Sequence, residues 1–304
     1  MSDEIEFDRS ATTEAGTVAN LSPLVRRIIA GNGGPMTFTG TCSYIVGRGT
    51  VAIIDPGPDD SGHVERLLAA VRGETVSHIV VTHTHRDHSP AVPALKAATG
   101  ALVVGCGPHR PSRELGPGEG RVLDAAADTD FVPDAEMRDG DAVSGTGWSL
   151  AAVATPGHTA NHLAFTLAEE ETLFSGDHVM AWSTSVVAPP DGSMAAYMAS
   201  IEKLRGLEHA RYWPGHGGPV TEPQRFLRGL VQHRRQREAA ILNRLGAGDE
   251  TIAAMVPVIY QGLAPVLHGA AALSVLAQLE DLVLRGAVQS SDAIPALASR
   301  YRLA

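Results

Sequence analysis

The chain has 304 residues, of which 44% are hydrophobic and 19% charged, and it contains only two cysteines. This size suits one large α/β core with a small second module, and the composition excludes a disulfide framework and extensive disorder. The net charge of −10 disfavours a polyanionic partner, although residues 225–304 carry a balance of +3 against −13 for residues 1–224.

The first 20 residues are polar and aperiodic, which predicts a flexible leader. Their acidic start has no apolar stretch of the kind found in signal peptides. No later apolar run has the length needed to span a bilayer. We therefore expect a cytoplasmic protein with no membrane partner.

Strand and helix patterns alternate after this leader. They fall on residues 42–46 (strand), 51–55 (strand), 61–72 (helix), 77–81 (strand), 90–98 (helix) and 101–104 (strand). Residues 105–147 are rich in glycine, proline and aspartate, and we interpret them as loops with short strands. The alternation predicts a layered α/β domain.

The β pattern returns after residue 147, and helices dominate the end of the chain. Strands are predicted at 148–154, 163–167, 172–175 and 211–213, with a helix at 194–207. Helices then follow at 224–245, 250–260 and 270–285, before a short strand at 286–288, and the Leu and Val stripe of the third helix predicts a core. The main domain is thus expected over 21–223 and a small second domain over 224–304.

A dense group of potential metal ligands follows the predicted strand at 77–82. The segment reads Val80-Val-Thr-His83-Thr-His85-Arg-Asp87-His88, with four potential ligands within six residues. Ligands usually collect at such strand ends in α/β sheets. Neutral imidazole and carboxylate groups are the ligands expected for zinc and similar divalent ions. The segment therefore predicts part of a metal site.

Three further candidates, His158, Asp177 and His216, each follow a later predicted strand. Taken in this order, the pieces resemble the metallo-β-lactamase superfamily over about residues 20–220. The resemblance implies a four-layer αββα sandwich that holds two divalent ions. It assigns His83, His85 and His158 to the first ion, Asp87, His88 and His216 to the second, and Asp177 to a bridge between them.

Asp55 ends the strand Val51-Ala-Ile-Ile-Asp55 and also matches a motif of this superfamily. The resemblance implies that it orients a ligand histidine, so that Asp55, Asp87 and Asp177 form the expected catalytic carboxylates. The two ions are expected to be zinc, with manganese or iron as alternatives. Together they would lower the pKa of a bridging water and supply hydroxide for attack on the substrate.

The residue at position 177 narrows the expected substrate. True β-lactamases of this superfamily usually place cysteine or serine there, whereas aspartate is the pattern of thioester hydrolases, lactonases and nucleases. The segment Gly176–Pro190 and the tail also resemble the β-lactamase-like protein 2 group, which has a winged-helix-like C-terminal domain. We expect hydrolysis of an ester or thioester of a small acyl substrate, with a single-strand-specific endoribonuclease and a lactonase as alternatives.

The tail carries the basic run Arg234-Arg-Gln-Arg237. Such a run is more often a solvated helix face than a nucleic-acid contact, and a single-stranded RNA partner depends on the second interpretation. A third hypothesis is that the tail mediates a homodimer. The histidines outside the ligand set are predicted to be structural, with His178 left open between packing and facing the substrate.

Overall fold

The computed structural model describes residues 5–11, 14–116, 119 and 126–304. Two sheets form the centre of the main domain. The first sheet contains β1 (Ala19–Asn20), β2 (Val25–Ile29), β3 (Cys42–Arg48), β4 (Thr50–Ile54), β5 (Thr75–Val81), β6 (Leu102–Gly105) and β7 (Ala135–Glu136), in that order. The second contains β8 (Ala142–Gly145), β9 (Trp148–Ala154), β10 (Leu163–Leu167), β11 (Thr172–Gly176) and β12 (Arg211–Pro214), also as neighbours in chain order.

Helices cover the outer faces of both sheets. α1 (Ser61–Ala70) and α2 (Val92–Thr99) follow β4 and β5, and their buried residues join the core of the first sheet. α3 (Met194–Arg205) and the first half of α4 (Pro223–Gly246) pack on the second sheet. The four layers expected from the sequence are therefore observed.

The alternation of side chains along the second sheet separates its two faces. Phe174 and Trp213 belong to the core between the sheets, whereas their neighbours Leu173 and Tyr212 pack toward α3 and α4. β4 pairs with β5 in parallel, and β11 pairs with β12 in parallel. Each parallel pair therefore delivers two carboxyl ends to the same edge of its sheet.

The two sheets are tied together at that edge. The amide of Cys42 donates to the carbonyl of Gly215 at 2.8 Å, and the hydroxyl of Tyr44 donates to the carbonyl of Pro214 at 2.7 Å. These bonds join the start of β3 to the end of β12. Loops from both sheets consequently meet there.

The C-terminal domain has its own core. It is formed by the second half of α4, by α5 (Ile252–Ile259), by α6 (His268–Leu284) and by a hairpin of β13 (Val288–Ser290) with β14 (Tyr301–Leu303). The predicted strand begins two residues later than expected, and its partner β14 has no recognisable signal in the sequence. Three residues at the end of the chain are too few to show a period, so this hairpin depends on its packing against α4 and α6.

The basic run Arg234–Arg237 on α4 was interpreted from the sequence as a solvated helix face or as a nucleic-acid contact, and its burial in the structure fits neither. Arg234 is only 5% exposed, and Arg237 is half-buried with its guanidinium 4.8 Å from the ring centroid of Tyr260. Only Arg235 of these three arginines is exposed. The run is therefore neither a solvated face nor a continuous basic strip, because Arg234 lies on the same helical face as Leu227, Leu230 and Val231.

One expectation about apolar length was wrong. The segment Pro265–Leu284, with a mean hydropathy of 1.3, is long and apolar enough to cross a membrane by length and composition alone. In the structure its residues Leu276, Leu279 and Leu282 fill the core of the C-terminal domain, as expected of a core helix. Glu280 of the same helix forms an ion pair with Arg113.

Part of the predicted leader can be described. The amide of Asp8 donates to the carbonyl of Ala181 at 2.9 Å, and Ile5 packs against the core beside α3. Residues 1–4 and 12–13 lie outside the described part of the chain, so the flexibility of the leader stays a prediction.

Candidate metal centre

The predicted ligands gather at the joined edge of the two sheets. His83 and His85 follow β5, His158 follows β9, Asp177 follows β11, and His216 follows β12. Gly215 is needed at this crossing, since a Cβ there would lie 2.3 Å from Oδ1 of Asp177 and 2.8 Å from Cε1 of His88. The end of β12 can pass this closely only without a side chain.

His83, His85 and His158, called here the all-histidine trio, direct three ring nitrogens to one point. Nδ1 of His85 lies 3.2 Å from Nε2 of His83 and 3.0 Å from Nε2 of His158. Nitrogens bound tetrahedrally to one zinc ion would be about 3.3 Å apart. The spacing therefore fits three nitrogens around a single small cation.

The opposite nitrogen of each of these rings has a hydrogen-bond acceptor. His158 donates from Nδ1 to the carbonyl of Val186 at 2.6 Å, and His85 donates from Nε2 to Asp191 at 3.0 Å. Nδ1 of His83 lies 2.9 Å from Oγ1 of Thr82, whose own proton goes to Asp55. The inner nitrogen of each ring, which is the one that faces the other two rings, is thus left with a free lone pair.

Asp87, His88 and His216, called here the mixed trio, form a second group. Oδ2 of Asp87 lies 3.1 Å from Nε2 of His216 and 3.3 Å from Nε2 of His88. Both rings donate from Nδ1, His88 to Asp55 at 3.0 Å and His216 to the carbonyl of Gly40 at 3.2 Å. Nε2 of each ring is buried and close to carboxylate oxygens, but it makes no hydrogen bond of good geometry among the described residues, as expected of metal ligands.

Asp177 lies between the two trios. One carboxylate oxygen is 3.3 Å from Nε2 of His216 and 3.7 Å from Nε2 of His158, and the other is 3.6 Å from Nε2 of His88. The carboxylate therefore faces a ligand atom of each trio. Its position fits the bridging role that the sequence resemblance implies.

Asp55 lies one layer further out. Its carboxylate accepts hydrogen bonds from the amide and hydroxyl of Thr82 at 2.8 and 2.7 Å, as well as from His88. With three donors already in place, this group fits an orienting role better than direct ligation. Asp55 has a positive φ of 48°, and its carboxylate lies against Thr82, the residue that follows β5.

The two trios differ in their electrostatics. Burial and the neighbouring His85 lower the pKa of His158 to about 4, so its ring is neutral near pH 7. Burial also acts to lower the pKa of His216, but Asp177 and Asp87 outweigh it and raise this pKa to about 10. His83, whose pKa burial also lowers well below its usual value, and His158 therefore offer neutral ligands, whereas Asp87 and Asp177 favour positive charge of any kind, proton or metal ion, at His216.

A cavity of about 540 Å3 opens over both trios. His85, Asp87, His158, Asp177 and His216 are part of its lining. Its apolar walls include Met36, Met180, Val186, Pro189, Ala270 and Leu273. Leu273 was expected in the core of the C-terminal domain, and it instead faces this cavity, so α6 supplies part of the wall.

Asp191 and His109 were not predicted as site residues. Asp191 contacts His85 and lines the cavity, and Nε2 of His109 lies 3.7 Å from its other carboxylate oxygen. Both residues come from loops without a recognisable motif, so only the folded chain reveals them. His178 is fully buried against the ring of Tyr197, with centroids 4.5 Å apart, and does not line the described cavity.

Comparison with known families supports the two-domain organisation. The sequence profile of the Metallo-beta-lactamase superfamily matches residues 36–216, and that of the Beta-lactamase associated winged helix domain matches residues 251–295. A Beta-lactamase-like protein 2 homolog from Caenorhabditis elegans is 30% identical over 256 residues, covering 78% of this chain and 76% of the relative. An Atrochrysone carboxyl ACP thioesterase from Aspergillus fumigatus is 31% identical over 228 residues, covering 73% of this chain and 65% of its own length.

The chain spans about two thirds of the length of the fungal relatives it matches. Two solved structures share its fold over nearly the whole chain. A Beta-lactamase domain protein from Burkholderia ambifaria has a TM-score of 0.78 at 20% identity, covering 99% of this chain and 97% of its own. A metallo-beta-lactamase family protein from Thermus thermophilus has a TM-score of 0.74 at 22% identity, covering 94% of this chain and 100% of its own.

Proposed function

The chain belongs to the metallo-beta-lactamase superfamily of hydrolases, and from this premise we propose that it uses two divalent metal ions to hydrolyse thioesters of apolar acyl groups. The observation that carries the proposal is the cavity, which combines both ligand trios with an apolar wall. Its volume of about 540 Å3 suits a small-molecule group. The fungal relative named as an acyl-carrier-protein thioesterase supports the same chemistry.

The ligand set determines what the site can do. When bound, two adjacent ions lower the pKa of a water and polarise the carbonyl that it attacks. We propose zinc, with manganese and iron as alternatives, because imidazole and carboxylate ligands suit all three. In the reaction water adds to the thioester carbonyl, the carbon–sulfur bond breaks, and an acid and a thiol are released.

The protein residues orient this chemistry. The outer hydrogen bonds of the five histidines hold their inner nitrogens toward the two ion positions. Asp177, whose carboxylate faces His216 and His158, would hold both ions. The apolar wall around Leu273 and Met36 would take the acyl chain out of water, and the carbonyl would then lie near the ligands.

An endoribonuclease is the second candidate. Arg205, Arg228 and Arg235 lie along one groove on the surface formed by α3 and α4, which offers positive charge to a polyanion. Against it, the lining of the cavity over the metal ligands is mostly apolar, and Arg234 is buried and unable to contact RNA. Thioester hydrolysis is therefore our first choice, and lactone hydrolysis remains the alternative with the same apolar requirement.

The test is a substrate panel with the metal-loaded protein. It contains S-acyl N-acetylcysteamine thioesters of increasing chain length, acyl lactones and a short single-stranded RNA. His158→Ala removes one ligand, and His209→Ala is the matched control because His209 contacts Thr166 and does not line the cavity. We expect thioester hydrolysis by the wild type and by His209→Ala, and its loss in His158→Ala.

Two results would overturn this assignment. RNA cleavage that depends on His158, with no thioester turnover, would favour the endoribonuclease. Lactone turnover at a much higher kcat/KM than thioester turnover would favour the lactonase.

A further inference from the structure

Arg234 is a charged residue of α4 that lies in the protein interior. Its guanidinium lies 4.8 Å from the ring centroid of Tyr197, and Nη2 donates to the carbonyl of Ser185 at 2.5 Å. Gln278 of α6 donates to the backbone carbonyl of Arg234 at 3.3 Å. Burying a guanidinium against a carbonyl and an aromatic ring costs desolvation energy, so a structural or functional benefit should offset it.

The segment that Arg234 contacts leads directly to the metal ligands. The residue after Ser185 is Val186, whose carbonyl accepts the hydrogen bond of His158 at 2.6 Å. Five residues further on, Asp191 accepts the hydrogen bond of His85 at 3.0 Å. Segment 185–191 thus supplies the outer partners of two of the three rings in the all-histidine trio.

The mixed trio does not use this segment. The outer partners of His88 and His216 are Asp55 after β4 and Gly40 before β3. Both partners belong to loops at the edge of the first sheet. A change in segment 185–191 should therefore affect one ion position and leave the other intact.

We propose that Arg234, on the helix α4 that joins the two domains, is a positioning residue that fixes His158 and His85 through segment 185–191 and so controls the metal affinity of the all-histidine trio. The inference rests on the proposed function in one respect, namely that this trio binds a divalent ion. It gives α4 a role in the metal site and links the C-terminal domain to that role through the hydrogen bond from Gln278 to Arg234. Arg234 acts through a peptide unit and does not itself touch the ion or the substrate.

The experiment measures zinc binding to the full chain by competition with a chelator. Arg234→Met removes the guanidinium, Arg234→Lys keeps the charge without the planar fork, and Arg225→Met is the control on an exposed turn of the same helix. We expect Arg234→Met to lower the affinity for one of the two zinc ions about tenfold. This is the lower end of the affinity loss that follows when a residue orienting a metal ligand is replaced. Arg234→Lys should show a smaller loss, and Arg225→Met none.

A second readout does not require metal. The Nδ1 proton of His158, observed by NMR in the metal-free protein, should exchange faster with water in Arg234→Met than in the wild type, because its acceptor carbonyl is less firmly held. If Arg234→Met fails to fold by near-ultraviolet circular dichroism, Arg234→Lys carries the same comparison with a smaller change.

The outcomes separate the two proposals. Unchanged zinc affinities together with unchanged proton exchange in the folded Arg234 variants would overturn the positioning role. An equal loss at both ion positions would also contradict it. A wild type that binds no ion would overturn the proposed function, and the proton exchange would then decide the role of Arg234 alone.

Discussion

The all-histidine trio and the mixed trio lie next to each other, with the rings of His83 and His88 only 4.2 Å apart between centroids, yet different parts of the molecule support them. The mixed trio depends on Asp55 and Gly40, which belong to the edge of the first sheet. The all-histidine trio depends largely on Val186 and Asp191, which belong to a loop anchored by α4. The difference teaches that two adjacent groups of potential ligands can be supported by different parts of one molecule, one by the edge of a sheet and the other by a loop packed against α4.

Asp177 is the single carboxylate common to both groups, so its loss should give the largest effect. Asp177→Asn removes a negative charge that faces ligand atoms of both trios. We expect kcat/KM to fall by more than about a hundredfold, beyond the range for residues that only orient ligands. Zinc competition should show weaker binding of both ions. Retention of either ion at wild-type affinity would mean that Asp177 does not connect the two positions.

Asp55→Asn and Asp191→Asn should separate the trios. Each substitution replaces a carboxylate acceptor on one side, and asparagine tolerates the positive φ of Asp55. We expect an affinity loss of about 10- to 100-fold at the most affected ion in each variant. Asp191→Asn should weaken the ion of the all-histidine trio, whereas Asp55→Asn should weaken chiefly the ion of the mixed trio, with a smaller effect on the other through Thr82 and His83. The two variants serve as each other's control. The comparison fails if the larger affinity loss falls on the same ion in both variants.

The support of the mixed trio contains a buried histidine that should make it sensitive to acid. His63 lies 2.8 Å from the hydroxyl of Ser43, which donates to the backbone of Asp55, and burial lowers the pKa of His63 from 6.5 to about 4. Between these values the unfolded state binds more protons, so stability is complete above pH 6.5 and decreases as the pH falls. We expect the free energy of unfolding of the metal-free protein to lose about 2 kcal/mol between pH 7 and pH 5 from this residue.

Urea unfolding at the two pH values measures this loss, and His63→Phe is the comparison. The variant should show a pH dependence smaller by about the same amount. An identical pH dependence in the two proteins would show that His63 is not the origin of the effect.

The smallest expected effect concerns the part of the C-terminal domain that faces the cavity. Leu273→Ala would widen the wall, whereas Leu284→Ala, on the same helix but 79% exposed, is the matched control. In Leu273→Ala the wider cavity should bury about one more methylene group of a long acyl chain. We therefore expect the ratio of kcat/KM for long over short acyl thioesters to rise about fourfold, which corresponds to the free energy of burying one methylene group. Unchanged chain-length preference would place the acyl group elsewhere in the cavity.

The sequence could predict the parts of the molecule that depend on local pattern. The longer strands and helices after residue 40 follow from periodicity, whereas β2 and β14 were not predicted. The meeting of His83, His85, His158 and His216 at strand ends follows from the family resemblance that the motif pieces carry. The roles of these residues as ligands stay predictions until an ion is observed.

The remaining features depend on contacts between segments far apart in the chain. Asp191 and Val186 reach the ligands only through the shape of their loop, which carries no periodicity. Arg234 could have been identified, because it stands three, four and seven residues after Val231, Leu230 and Leu227 on one helical face. The run Arg234–Arg237 was interpreted from its charge, although this helical spacing places Arg234 on the apolar face.

The central claim is that two ions occupy the two trios and share Asp177, with Arg234 supporting one of them. Anomalous diffraction at the zinc edge from crystals of the zinc-loaded wild type and of Arg234→Met would test it most directly. We predict two peaks beside Asp177 in the wild type, and in Arg234→Met a weakened peak at the all-histidine trio beside a full peak at the mixed trio. A single peak in the wild type, or two full peaks in the variant grown at limiting zinc, would contradict the account.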